Sequence, residues 1–466
     1  MNHVDFSRRP EPDQFLFGRA WDPYLKKPER TVFFNTRVPF TSLAYSTIPF
    51  VDWREENVEV LHTQNTTPFT NFGIEFNILA GKELYRNEET RSNRVGLFGS
   101  HAKDRYSIFG TFYYNDFNAD ENGGLLDLES FRNGELEQYF DYEVNLTDAT
   151  SHYRNLSLFT TQKYNLLERQ VIRDTLGNET VTGKTLSLSH QLHIQRHVKD
   201  YRDEVDPDAL SPVYSNYYYT VNNPMDSASE DRITNVFQVI LGDPDYDRIS
   251  ARVYAGHLYR RFGSLSPVVA SYLETDTLSA DPLDIDSIFA DTVEARFSTA
   301  SFNDLYIGFH LAGPTTGIWD WVVDGRYYLA GYDRYNFEAN ATFSRRLRET
   351  AELGLRGSLS LKRPHYFTNH YSSSFFSWEH DYPSTVKAGG EAFLRSQSLD
   401  MDLRAGVTYL SNYIFWDQEA QPRLYDRDLL VFSGYFSRHF RVGRFHSENR
   451  LLLQYTTAGE VLRLPL

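Results

Sequence analysis

The sequence predicts an all-β chain folded as a transmembrane, antiparallel, up-and-down β-barrel of about 16–18 strands. Three observations carry that expectation. Polar and apolar residues alternate singly along many segments of roughly ten residues, the length a tilted strand needs to cross a bilayer. The long polar connections are always separated by an odd number of shorter links, so they gather at one end of the sheet. The chain is also 15% aromatic, with 32 Tyr and 34 Phe, residues that ring such barrels at both membrane interfaces.

Alternation is clearest from Trp319 to Arg363. Trp319, Trp321, Val323, Gly325, Tyr327 and Leu329 oppose Asp320, Asp324 and Arg326. Tyr335, Phe337, Ala339, Ala341 and Phe343 oppose Asn336, Glu338, Asn340, Thr342 and Ser344. Ala351, Leu353, Leu355, Gly357, Leu359 and Leu361 oppose Glu352, Gly354, Arg356, Ser358, Ser360 and Lys362. The joining pieces, around Tyr332-Asp333-Arg334 and Leu347-Arg348-Glu349-Thr350, are short enough only for antiparallel neighbours.

Taken in order, residues 1–36 are polar and broken by Pro10, Pro12, Pro23 and Pro28, with apolar islands at Phe15-Leu16-Phe17 and Val32-Phe33-Phe34. We expect a loosely packed periplasmic lead-in there, with the barrel occupying 37–466. Strands are expected from about Phe40, then around Val58–Thr63 and Asn71–Ile78, and at 93–101 and 104–115. Further strands are expected at 152–164, 184–197, 231–241, 248–260 and 303–312, before the three above. The series closes with 385–396, 399–412, 428–440 and 444–456, about 17 strands in all. The long connections lie near 116–150, 198–230, 261–302, 363–384 and 413–427. No apolar h-region follows Met1, and Leu466 ends the chain just after a strand without a terminal aromatic. The expectation is a chain lacking its signal peptide, with further strands beyond Leu466.

Composition narrows the function. None of the 466 residues is cysteine, so disulfide frameworks and Cys-based metal sites are excluded. A net charge of -16 argues against nucleic acid as a partner. Mean hydropathy is -0.51, and no stretch approaches the ~18 apolar residues of a spanning helix. A barrel tolerates this because only alternate strand residues touch lipid.

Val38-Pro39-Phe40-Thr41-Ser42-Leu43-Ala44-Tyr45, then His62-Thr63-Gln64-Asn65, then Glu121-Asn122-Gly123-Gly124 after a Tyr-rich strand form an ordered set. In these strings, and in weaker echoes at Phe15-Leu16-Phe17-Gly18 and Leu462-Arg463-Leu464-Pro465, the chain resembles the putative porins of the Bacteroidetes outer membrane. The resemblance implies an outer-membrane β-barrel with a pore.

Motifs for other chemistry fail on their own terms. On a strand His190 points away from His193 and His197, so the three do not form a metal cluster. Asp243-Pro244-Asp245-Tyr246-Asp247 has Arg248 where a calcium loop needs Gly. Asp116-Phe117-Asn118-Ala119-Asp120 has Glu121 there, leaving structural calcium in that loop as the lesser reading. The acidic run Asp276, Asp281, Asp284, Asp286, Asp291 reads as a solvated outer loop, with divalent bridging to lipopolysaccharide as the alternative. No GxSxG, HExxH or GxxxxGK[ST] motif occurs, so neither an enzyme nor a cofactor is expected.

With lipid on the apolar side, Glu75, Arg248, Arg252, Glu338, Glu352, Arg356, Lys362, Asp400, Asp402 and Arg404 point inward as pore-lining candidates. Mixed charge along facing walls gives a transverse field that favours small hydrophilic solutes; the competing reading is that these charges pair and stabilise a narrow lumen. The expected function is passive diffusion through the barrel. The alternative is a structural or assembly partner, or a barrel whose long outer loops bind a surface glycan or protein. Tyr217-Tyr218-Tyr219 and Phe375-Phe376-Ser377-Trp378 would then be its contacts, although loop packing is the simpler reading of both clusters.

Overall fold

The computed structural model describes residues 15–48, 55–82, 84–168, 170–173, 179–183, 185–203, 225–242, 249–267, 295–314, 317–348 and 350–458. From Phe40 onward the alternating segments become strands. β1 (Phe40–Thr47), β2 (Glu55–Thr67), β3 (Thr70–Gly81), β4 (Thr90–Lys103) and β5 (Tyr106–Glu121) form successive hairpins. After α1 (Leu128–Asn133) comes β6 (Ala149–Leu167), and the small hairpin of β7 (Gln170–Arg173) and β8 (Glu179–Thr182) leads to β9 (Leu186–Arg202). β10 (Met225–Leu241), β11 (Ser250–Pro267) and β12 (Ala295–Ala312) follow, then β13 (Trp319–Ala330), β14 (Phe337–Arg348) and β15 (Ala351–Lys362). The next connection holds α2 (Tyr366–Asn369) and a hairpin of β16 (His370–Ser372) and β17 (Ser377–Glu379). β18 (Thr385–Ser396) and β19 (Met401–Ser411) precede a hairpin of β20 (Ile414–Trp416) and β21 (Pro422–Leu424), and β22 (Leu429–Val442) and β23 (Phe445–Thr456) close the series.

Seventeen of these strands form one antiparallel sheet in which each pairs with the next sheet strand along the chain. Among the described residues, the end strands β1 and β23 are not paired with each other. The strand ends that flank residues 122–148, 203–224, 268–294, 363–384 and 412–428 all lie at one end of the sheet, as expected. The longer link carrying β7 and β8 lies at the opposite end.

Burial is inverted relative to a water-soluble sheet. Phe237, Val253 and Leu355 are 63%, 58% and 63% exposed, while Thr63, Asn115, Glu230 and Asp304 are 0% exposed. Apolar side chains outside and polar ones within is the distribution that hydrocarbon imposes on a barrel. β15 follows the expected alternation: Leu355 faces out, and its neighbour Arg356 turns inward to Glu391. No helix is long and apolar enough to cross a membrane among the described residues.

All nine sheet strands from β2 to β12 run past their predicted bounds at the long-loop end, and the later ones furthest. β5 runs on to Glu121, β6 starts at Ala149, β9 reaches Arg202, β10 starts at Met225, β11 reaches Pro267 and β12 starts at Ala295. Beyond the hydrocarbon the outer face has no need to be apolar, so single-residue alternation fades while backbone pairing continues. Asp116, Asn118 and Asp120 therefore sit on an extended strand rather than in a loop, and a straight strand cannot wrap a cation.

The lead-in is packed, not loose, from Phe15 onward. Leu16–Tyr24 forms a 3₁₀ turn, and the chain from there to residue 36 runs along the polar face of the sheet. Its apolar islands are its docking points. Phe15 stacks on Tyr153 and His197, at 6.1 and 5.5 Å between ring centroids. Phe33 meets Phe109 at 5.0 Å. Because Tyr153 and His197 lie toward the long-loop end and Phe109 toward the other, the segment crosses the sheet from end to end.

Candidate functional site

The site is the inner wall together with the segment lying on it. Between its aromatic ends the segment is held by polar contacts. The Lys26 amide donates to Asn115 Oδ1 at 3.0 Å, and Lys26 Nζ meets Glu75 at 3.1 Å. The Thr31 and Tyr113 hydroxyls are 2.7 Å apart, and the Thr36 amide donates to Asn65 Oδ1 at 3.1 Å. Arg94 donates to the Tyr24 carbonyl at 2.9 Å.

Most of the pore-lining candidates lie on the inner wall, but their charges pair sideways along it. Arg356 meets Glu391 at 2.6 Å, directly across the β15–β18 ladder. Glu338 accepts from Arg326 at 3.4 Å and Lys362 at 3.0 Å. Arg395 stands between Glu352 at 4.0 Å and Asp402 at 3.9 Å. Asp402 also pairs with Arg404, whose guanidinium lies 4.8 Å from the Tyr435 ring. Glu75 is taken by Lys26 of the internal segment. Opposite charges at facing strand positions cancel locally, so the wall carries short alternating dipoles instead of a field across the lumen. Arg252 shares the inward face of β11 with buried Gly256 and Arg260, near the short-turn end, and is exposed. Asp400 is not on a strand: it occupies the β18–β19 turn with φ 46°, 3.0 Å from His439. Arg248 lies outside the described residues.

Alternation alone did not single out Lys26, Glu391 and Arg395. The last was readable, since the four-residue turn 397–400 sets Arg395 opposite Asp402. Glu391 was not, because its register with Arg356 is set across the long 363–384 connection.

At the long-loop end a denser, buried network appears. His365 Nε2 lies 3.2 Å from Glu230 Oε2, and Arg232 pairs with the same carboxylate. Arg260 meets Asp304 at 2.6 Å and also bonds Asp333, whose amide donates to Asp304 at 2.9 Å. The turn bearing Asp333 can approach because Gly331 has φ +98° and a Cβ there would fall 2.2 Å from Asp304 Oδ1. Burial holds the His365 imidazole below its ordinary value, against the pull of Glu230, and pushes the Tyr332 phenol up to about 12. These contacts fold the 363–384 connection inward. Trp378 Nε1 donates to the Phe367 carbonyl at 2.9 Å, and Phe367 packs with Phe15, Phe17 and Phe262. Sequence reasoning missed this network, whose members come from five separate stretches of chain.

Phe375 and Trp378 are 3% and 8% exposed, so they pack the loop rather than present a contact surface. Tyr217-Tyr218-Tyr219, the Asp243–Asp247 turn and the acidic run 276–291 lie outside the described residues. His193 and His197 face inward, hydrogen-bonding Ser157 at 2.9 Å and Tyr153 at 2.8 Å, while His190 stacks on outward-facing Phe237 at 4.5 Å.

Several solved structures share this backbone arrangement. The siderophore receptor PirA from Acinetobacter baumannii matches with TM-score 0.57 and 9% identity, over 91% of this chain and 63% of that one. A mutant of the ferric enterobactin receptor PfeA from Pseudomonas aeruginosa, solved with enterobactin, matches with TM-score 0.58 and 11% identity, over 90% and 63%. The copper transporter OprC matches with TM-score 0.61 and 8% identity, over 92% and 62%. At such identities the likeness is one of fold, and the chain spans less than two thirds of the length of these proteins. No curated protein sequence matches it. The family profile described as Putative porin matches residues 1–466.

Proposed function

Because the chain belongs to that porin family, an outer-membrane barrel family, we infer that it passes small hydrophilic solutes by passive diffusion along the inner wall, with residues 15–36 narrowing the path. The observation that carries this reading is the inner wall itself. From β13 to β19 its charges are matched in pairs, so that stretch offers water and polar solutes a continuous polar surface without a strong trap for either sign. The internal segment touches that wall mid-way through a few polar contacts, which water can replace at small cost.

The test is single-channel conductance in planar bilayers. Stable open steps are expected, and Lys26→Glu, which sets a carboxylate against Glu75, should widen the path and raise conductance. Arg252→Glu and Glu352→Lys should shift the reversal potential in opposite directions. Silence from a folded, inserted chain, including the Lys26→Glu form, would remove the diffusion reading. The partner-binding reading gains nothing from Phe375 and Trp378, which are turned inward.

A further inference from the structure

Between the start of the internal segment and the two loops leaning over it lies a cavity of about 540 Å³. Its walls include Phe17, Tyr371, Trp378 and Trp416. The Tyr371 and Trp378 rings are 4.9 Å apart, and Trp378 meets Trp416 edge to face at 5.5 Å. Two cations reach the same space, Arg19 from the segment and Lys199 from β9. Among the described residues neither makes an ion pair, and Arg19 Nε is buried without a hydrogen-bond partner.

The carboxylates nearby are committed elsewhere or stand further off. Asp226, in the lining, accepts the Ser374 amide at 2.6 Å and is turned to the loop. Glu121 and Asp200 act on Lys199 from beyond pairing distance, and Asp200 is held by Arg154 at 2.6 Å and by Ser227 at 2.8 Å. In a chain of net charge -16 this cavity is therefore locally positive. A half-buried cation without a partner is costly, and an entering anion relieves that cost. Aromatic walls favour a flat, apolar ring over a strongly hydrated ion.

We propose that this cavity binds a small aromatic carboxylate, its anionic group between Arg19 and Lys199 and its ring against Tyr371, Trp378 and Trp416. The inference rests on the lumen reading in one respect, that the solute path passes this cavity, but binding is measured independently of conduction.

The experiment uses the folded chain in lipid nanodiscs, titrated with 2-naphthoate and followed by tryptophan quenching. 2-Naphthalenemethanol supplies the ring without the charge, and acetate the charge without the ring. Saturable one-to-one binding of naphthoate is expected, with the alcohol about tenfold weaker or worse and acetate silent. Arg19→Met and Lys199→Met should each weaken naphthoate about tenfold, and Trp416→Ala should weaken acid and alcohol alike. Arg19 lies outside the sheet, and heat-shifted gel migration confirms that each variant is folded. Equal affinity for acid and alcohol, or unchanged naphthoate binding in the double Arg19→Met, Lys199→Met form, overturns the proposal. Currents from the same preparations separate the two readings: binding without conduction removes diffusion alone, and conduction without binding removes this site alone.

Discussion

The two halves of the sheet solve different problems. β5 to β12 run 16–19 residues each, apart from the small hairpin of β7 and β8, while β13, β14, β15, β18 and β19 run 11–12. The extra residues make the strands from β5 to β12, the tall half, about 20 Å longer along the strand than those of the short half. In the short half, inward charges meet partners across one ladder rung and stay partly exposed, as Arg356 and Glu391 do at 41% and 24%. In the tall half the overhang is covered by the internal segment and the 363–384 connection, so Glu230, Arg260 and Asp304 are sealed from water. The same residue types are thus wall polarity in one half and a buried fastening in the other. Dielectric surroundings, not charge content, separate the two roles.

The sharpest way to break this comparison is Arg260→Leu, which leaves Asp304 and Asp333 facing each other without their shared cation. Breaking a buried pair costs about 3–5 kcal/mol, and the loss should appear as a lower urea midpoint for the heat-shifted band. Second comes the register itself. Leu355→Arg should cost about 2–4 kcal/mol by the same measurement, because hydrocarbon receives a charge.

A third test uses pH. The lowered His365 value means that, as pH falls below the ordinary imidazole range, the released loop takes up protons that the docked loop refuses. Glu230 opposes this shift, and Arg232 and Arg260 reinforce it. Docking is thus full above that range and weakens below it. Proteolysis within 363–384 should rise on acidification, and His365→Gln should flatten the dependence. Smallest is Arg356→Ala in the short half. A partly exposed pair contributes about 0–1 kcal/mol, so stability should hardly move while the reversal potential shifts.

The strands of the short half were legible almost to the residue. There the membrane face spans nearly the whole strand, and hydrophobicity must switch at every position. β18 was expected at 385–396 and occurs at Thr385–Ser396. The tall half was legible only up to the membrane boundary, since above it the pattern answers to pairing partners that a linear reading does not see. Asp116-Phe117-Asn118-Ala119-Asp120 looked like loop for that reason. So did the strand starts at Met225 and Ala295.

Alternation, a consequence of hydrocarbon on one face and water on the other, by itself determined the barrel class, the strand series, the end that gathers the long loops, and which side of each strand faces lipid. Only the tertiary structure decided which charges meet, that residues 15–36 line the inside of the sheet, and that the 363–384 connection folds down on Glu230 and Asp226. Ser374 and Asp226 alone are 148 residues apart in the chain. No local period encodes such contacts: they arise from how the curved sheet brings distant rungs around one space.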